Sequence, residues 1–118
     1  MFQYAEDVAA TLIMASRAGG DGARVYNLGG SRVALTDWVA AIDAAVPGAA
    51  ERLTLAPTEL PFPSDIAHDR LRELGDVPVT PYRDAIAATA AIFGRLASDG
   101  RLVGAEHGVP TAPAASSA

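Results

Sequence analysis

The chain has 118 residues, with nine arginines, no lysine, no cysteine and fourteen acidic residues, which gives a formal net charge of −5. Without cysteine it can form no disulfide, thiolate metal site or cysteine nucleophile, and without lysine it has neither a P-loop lysine nor a Schiff-base lysine. The acidic balance and the lack of a concentrated basic patch argue against a nucleic-acid partner.

The length fits one domain that can bury a core without covalent cross-links. The N-terminal letters M-F-Q-Y-A-E-D lack the basic and apolar regions of a secretory signal. The longest apolar-leaning run, residues 8–15, is well short of the ~20 residues that a membrane span needs. We therefore expect a soluble, cytoplasmic protein that does not associate with membranes.

The first predicted elements are the end of a strand and a helix. Residues 2–5 are typical of a strand that ends there. Asp7 is a suitable N-cap for a helix over residues 8–18, which has one apolar face and stops at the glycine pair 19–20. Residues 24–28, R-V-Y-N-L, lie between glycines on both sides, which predicts a short strand.

The middle of the chain is predicted to hold a second helix and another strand. Thr36 can cap a helix over residues 36–46, and the Pro-Gly pair that follows ends it. Residues 52–56 alternate between polar and apolar side chains like a half-buried strand. The proline-rich residues 57–63 predict an ordered loop.

The last predicted elements are two helices and a tail. A short helix over residues 69–75 ends at a glycine, and Thr80 can cap a helix over residues 81–97 that has proline in its first position. Residues 98–118 contain almost no bulky apolar side chains, which predicts a disordered tail. The fold class predicted is α/β, or more narrowly an α+β fragment, with three to four helices and two or three short strands.

Gly29 and Gly30 follow a predicted strand, as the glycines of a dinucleotide-binding turn do. That fingerprint requires three glycines in the pattern Gly-x-Gly-x-x-Gly and a helix that starts at once. Five residues separate Gly30 from the cap at Thr36. The spacing favours a plain turn over a phosphate cradle, and we predict no cofactor-binding residue.

Asp65, His68 and Asp69 have the spacing that places three ligands on one helical face. Acidic residues at a helix start are better explained by capping, so no metal site is predicted. There is also no Gly-x-Ser-x-Gly turn and no Tyr-x-x-x-Lys pair. The residues alone therefore indicate a small domain without catalytic residues.

Six blocks in this order together resemble the C-terminal part of the NAD-dependent epimerase/dehydratase family, the extended short-chain dehydrogenases. They are F-Q-Y-A-E-D-V-A-A-T-L-I, A-R-V-Y-N-L-G-G, L-T-D-W-V-A-A-I, L-P-F-P, R-L-R-E-L-G and T-P-Y-R-D-A-I-A-A-T. The resemblance covers residues 2–97. Asp7 matches the aspartate of the family's strand-Asp-Val-Ala block, and Tyr26 and Asn27 match the Tyr-Asn of its late strand.

The resemblance implies an oxidoreductase or epimerase fold in which an N-terminal Rossmann domain carries the glycine fingerprint, NAD(P) and Tyr-x-x-x-Lys. A smaller C-terminal region then closes over the substrate, a sugar or sugar-acid derivative. The absence of both motifs here suggests a truncated form or one half of a split enzyme, and leaves enzymatic activity uncertain. The block L-P-F-P leans toward the branch resembling sugar-acid dehydrogenases, and Tyr4 and Phe62 are the residues expected to line the substrate.

The resemblance also divides the chain. Residues 1–97 would be the substrate-region segment, in which residues 2–34 pack on a missing Rossmann domain and residues 35–97 form the substrate subdomain, followed by the tail at 98–118. Apolar surface left uncovered on residues 2–34 predicts self-association or pairing with a cofactor domain. The alternative is a non-enzymatic module that dimerises or docks on a partner through the same faces.

Overall fold

The computed structural model describes residues 1–56, 63 and 65–102. Its α-helices are α1 (Ala5–Arg17), α2 (Leu35–Ala45) and α3 (Tyr82–Ser98). Two short 3₁₀ helices lie between α2 and α3, at Ala50–Arg52 and Asp69–Leu74. All four predicted helices are therefore present, although the one at 69–75 is a 3₁₀ helix. Within the described residues, no helix is both long and apolar enough to cross a bilayer.

The predicted strands are not found in the described residues, apart from a bridge at Phe2 in the segment at 2–5. Residues 24–28 have no regular secondary structure, and residues 52–56 begin at the end of a 3₁₀ helix and continue without regular structure. The β pairing found in the described part of the chain is a single antiparallel bridge between Phe2 and Ser31. Alternation and flanking glycines predict a residue's local conformation, whereas a strand also needs a partner from elsewhere. The described residues are thus mostly helical, and the two or three short strands of the predicted α/β fold are not found among them.

The three predicted caps are also wrong in their role. Helix α1 starts two residues before Asp7, α2 starts at Leu35 rather than after Thr36, and α3 starts two residues after Thr80. None of the three helices receives a side-chain hydrogen bond at its N-cap. Asp7 and Thr80 instead bond to each other, because both lie at helix starts that the fold brings together.

The core is small. Helix α2 packs against α3, and the buried side chains are those of Ala41 on α2, Leu71 on the second 3₁₀ helix and Thr11 on α1. Thr11 is satisfied there because its hydroxyl donates to the carbonyl of Asp7 at 2.7 Å. Few side chains are buried in the described structure, and an open cleft lies between its elements.

Two predicted segments lie largely outside the described residues. The loop at 57–63 is described only at its last residue, and the tail at 98–118 only at 98–102. Within that short stretch, helix α3 reaches Ser98 and a turn follows at Gly100, which has a φ of +65°. The helical part of the chain therefore extends slightly further than 81–97.

Candidate functional site

A cleft of about 670 Å³ lies between the start of α1, residues 28–31, α2 and the segment that leads from the second 3₁₀ helix into α3. This volume is in the range of small-molecule binding sites. Most of its lining is apolar, and it includes four aromatic rings, those of Phe2, Tyr4, Trp38 and Tyr82.

The aromatic wall of the cleft depends on how the N-terminus is attached. The backbone N–H of Phe2 donates to Ser31 at 2.9 Å, and the N–H of Ser31 donates back to Phe2 at 2.8 Å. The ring of Phe2 stacks on Trp38 with centroids 4.8 Å apart and planes inclined by 12°. Gly30 permits this arrangement, because a Cβ there would collide with the Phe2 carbonyl oxygen. The bridge thus fixes the wall and the entry of Tyr4 into the cleft.

Tyr4, one of the two residues expected to line a substrate, lines this cleft. Its pKa is raised because partial burial disfavours the phenolate, and the carboxylates of Glu6 and Asp7 add to the effect. Tyr4 is therefore a neutral hydrogen-bonding group at ordinary pH. Phe62, the other expected residue, lies outside the described residues.

Asp7, in the first turn of α1, is hydrogen-bonded to Thr80, which lies just before α3. One carboxylate oxygen of Asp7 accepts from the backbone N–H of Thr80 at 2.6 Å, and the other accepts from its hydroxyl at 2.9 Å. Both bonds have a charged acceptor and are partly shielded from water, which makes them stronger than neutral surface bonds. The pair therefore holds α1 and α3 in fixed relative positions.

Residues 24–28 are fastened by side chains instead of by a sheet. Asn27 donates its side-chain amide to the carbonyl of Ala67 at 2.9 Å, and Gln3 donates to the carbonyl of Leu28 at 3.1 Å. The guanidinium of Arg70 lies 5.5 Å from the centroid of the Tyr26 ring, within cation–π range. The Tyr-Asn pair of the resemblance thus anchors this segment, with Asn27 bonded to the loop at 65–68 and Tyr26 in contact with the 3₁₀ helix at 69–74.

Gly29 and Gly30 each lie close to a residue from another part of the chain. Gly29 faces the ring of His68 and Gly30 faces the backbone of Phe2. Neither has a positive φ, so neither adopts the left-handed conformation that often accounts for glycine. Helix α2 begins only at Leu35, too far along the chain for its N-terminal N–H groups to follow the glycines directly.

Each of the three residues with metal-ligand spacing contacts a different partner. Asp65 pairs with Arg32 at 3.2 Å, Asp69 pairs with Arg72 at 3.6 Å, and His68 bonds to the carbonyl of Ile66. In the ranges that are described, no group of three potential ligands is close enough to hold a metal ion. His68, the one described histidine, is bonded to neither a serine nor a carboxylate, so no triad is formed there.

Sequence reasoning missed most of the cleft. Trp38 lies within the predicted second helix, and the structure places its ring against that of Phe2 near the N-terminus. Tyr82 and His68 also line the cleft. The sequence holds one tryptophan and three tyrosines, which are common in ligand sites, but no local pattern shows which of these rings face one another.

The side chains that line the cleft are suited to binding a ligand. It offers aromatic faces, the phenol of Tyr4 and the imidazole of His68, which suits a ligand with both apolar faces and hydroxyl groups. Comparisons of the chain with protein-family models, with curated proteins and with solved structures find no match to any of them.

Proposed function

We propose that this chain is the substrate-binding portion of an NAD(P)-dependent epimerase/dehydratase or sugar-acid dehydrogenase and binds a sugar or sugar-acid derivative in the cleft. The observation that carries the proposal is the cleft itself, which is large enough for a monosaccharide derivative and combines aromatic faces with polar tips. The resemblance of residues 2–97 supplies the reaction class, and we place the protein in the cytoplasm.

Catalysis in this proposal needs a cofactor domain. The chain contains neither a glycine fingerprint nor a Tyr-x-x-x-Lys pair, so alone it transfers no hydride. Support for a docking face comes from residues 2–34: the side chains of Leu12 and Ile13 on α1 are 58% and 50% exposed, and Val25 in the segment at 24–28 is 74% exposed. Exposed apolar side chains of this size are suited to contact with another domain.

Calorimetry tests the proposal with two ligands, D-gluconate as a sugar acid and NADH as a cofactor. The expected result is heat of binding for D-gluconate, with no heat for NADH and no change in nicotinamide fluorescence. Binding of NADH by the chain alone would refute the proposal, because the nucleotide site is assigned to another domain. Absence of heat with D-gluconate would remove the support that the cleft gives.

The second candidate is a non-enzymatic module that dimerises or docks on a partner. The exposed apolar side chains of α1 favour it, since a second copy could cover them as well as a cofactor domain could. A concentration-dependent dimer that binds no D-gluconate would select this candidate. The DNA upstream of the Met1 codon also separates the two, because a reading frame with a glycine fingerprint and Tyr-x-x-x-Lys there indicates a severed enzyme domain.

A further inference from the structure

His68 lines the cleft, and one nitrogen of its ring is held by the backbone. Its Nδ1 lies 2.9 Å from the carbonyl oxygen of Ile66. A carbonyl oxygen only accepts hydrogen bonds, so Nδ1 carries the hydrogen of that bond. In the neutral imidazole, Nε2 is then the nitrogen with the free lone pair, and it is a hydrogen-bond acceptor.

The loop that carries His68 has no regular structure, yet it is held at two points before the residue. Before it, the carboxylate of Asp65 accepts from the N–H of Ile66 at 2.9 Å and pairs with Arg32 at 3.2 Å. Immediately before His68, the carbonyl of Ala67 accepts from the amide of Asn27 at 2.9 Å. A side chain fixed in this way loses little entropy when it binds a ligand.

Gly29 gives the imidazole its place at the edge of the cleft. A Cβ at Gly29 would lie 2.8 Å from Cδ2 and 3.2 Å from Nε2 of His68, closer than side chains normally approach. Three residues of one segment, Asn27, Gly29 and Arg32, are therefore each fitted to the loop at 65–68. Together, these contacts set the position of the His68 ring.

We infer that His68 is a ligand-binding residue whose Nε2 accepts a hydrogen bond from a hydroxyl of the molecule held in the cleft. The inference rests on the proposed function, because it assigns a partner to the sugar-like ligand bound there. The aromatic rings of Tyr4 and Trp38 provide surfaces for the ligand's C–H faces, and His68 supplies direction. The ligand class is a polyhydroxylated compound with a sugar-like carbon skeleton.

Imidazole NMR tests the inference with a hydroxyl-rich acid and a matched acid without hydroxyls. The chain has two histidines, His68 and His107, so the spectra hold two sets of imidazole nitrogen signals, and the His68→Asn variant assigns them. D-gluconate is expected to shift the His68 nitrogen signals, whereas hexanoate at the same concentration leaves them in place. A shift with both acids would mean that the ring responds to the carboxylate, which overturns the inference.

Two substitutions separate binding from positioning. The amide of His68→Asn reaches the place of Nδ1 and keeps the bond to Ile66 but has no atom at Nε2, whereas His68→Gln places a polar atom near Nε2. Loss of one hydrogen bond predicts that His68→Asn weakens D-gluconate binding about threefold to tenfold, with His68→Gln closer to the native chain. If neither variant folds, the NMR shift of the native chain decides.

The emission of Trp38 distinguishes the two possible failures, because it is the chain's one tryptophan and lines the same cleft. A D-gluconate-dependent change at Trp38 with no change at His68 would overturn the role of His68 and leave the proposed function standing. No change at either residue would overturn both. Changes at both residues with a common midpoint support both.

Discussion

Gly29 and Gly30 are required by what lies beside them rather than by their own backbone angles. The His68 ring occupies the space that a Gly29 side chain would take, and the Phe2 carbonyl occupies that of Gly30. Both neighbours come from distant parts of the chain. A pair of glycines in a sequence can therefore indicate either a turn with positive φ or a site where another part of the chain comes close to the backbone. Only the tertiary structure distinguishes the two.

Substitution of Gly30 tests the close approach. Gly30→Ala is expected to lower the free energy of unfolding by about 1 to 3 kcal/mol, because the new methyl group displaces the Phe2 backbone. It should also separate Phe2 from Trp38 and change the Trp38 emission. Gly19→Ala is the matched control, since nothing lies within 4 Å of its would-be Cβ. Equal effects of the two substitutions in urea titrations would contradict the close approach.

The bond between Thr80 and Asp7 can be tested by removing one hydroxyl. Thr80→Val keeps the shape of the side chain but loses the donor to a charged acceptor, which is expected to cost about 1.5 kcal/mol of unfolding free energy. Thr89→Val is the control, because the Thr89 hydroxyl only donates to the carbonyl of Ala85 in its own helix. The measurement is urea unfolding followed by circular dichroism. Similar losses for both variants would show that the tie is not special.

At the scale of elements, helices were predictable and strands were not. The apolar stripes of α1, α2 and α3 repeat within each helix, so their positions follow from local sequence to within a few residues. The first turns were misassigned because Asp7 and Thr80 satisfy each other rather than their own helix ends. The segment at 24–28 has the composition of a strand, but its pairing depends on residues that no local pattern identifies.

The anchoring of the 24–28 segment predicts a pH dependence. The pKa of Glu73 is lowered, chiefly by its side-chain hydrogen bond from Arg70, with further contributions from the charges of Arg70 and Arg24. A carboxyl whose pKa is depressed in the folded state stabilises that state above its unfolded pKa. This contribution is lost as the pH falls through the folded pKa, so the segment should loosen in acid below the ordinary glutamate range.

Carboxyl NMR titration measures this effect directly. Arg70→Gln is expected to return the Glu73 pKa toward its ordinary value and to release Tyr26 from its cation–π partner. Arg83→Gln removes an arginine that lies over a different ring, that of Tyr82, and serves as the control. An unshifted Glu73 in the native chain, or the same shift in both variants, would contradict the anchoring by Arg70.

At the scale of the whole molecule, the candidate site was less predictable than the fold. The cleft combines residues from the N-terminus, the segment at 28–31 and three helices. Tyr4 was expected to line a substrate because of a resemblance, and His68 was considered only as a possible metal ligand. Their common location depends on the Phe2–Ser31 bridge and the Asp7–Thr80 tie, which are contacts between residues far apart in sequence.

The exposed apolar face of residues 2–34 predicts self-association of the isolated chain. Sedimentation velocity should show oligomers whose fraction grows with concentration, and Leu12→Glu should reduce them by placing a charge on α1. Leu102→Glu makes the same change at an exposed leucine beyond α3 and should have little effect. A monodisperse monomer with a cooperative thermal transition would count against an uncovered docking face.

We propose that the cleft holds a sugar-like substrate and that the nicotinamide cofactor binds elsewhere. The most direct measurement is a paired titration of Trp38 emission, once with D-gluconate and once with NADH. We expect a saturable change in Trp38 emission with D-gluconate and, after correction for absorbance, no change with NADH. A saturable change with NADH and none with D-gluconate would contradict it.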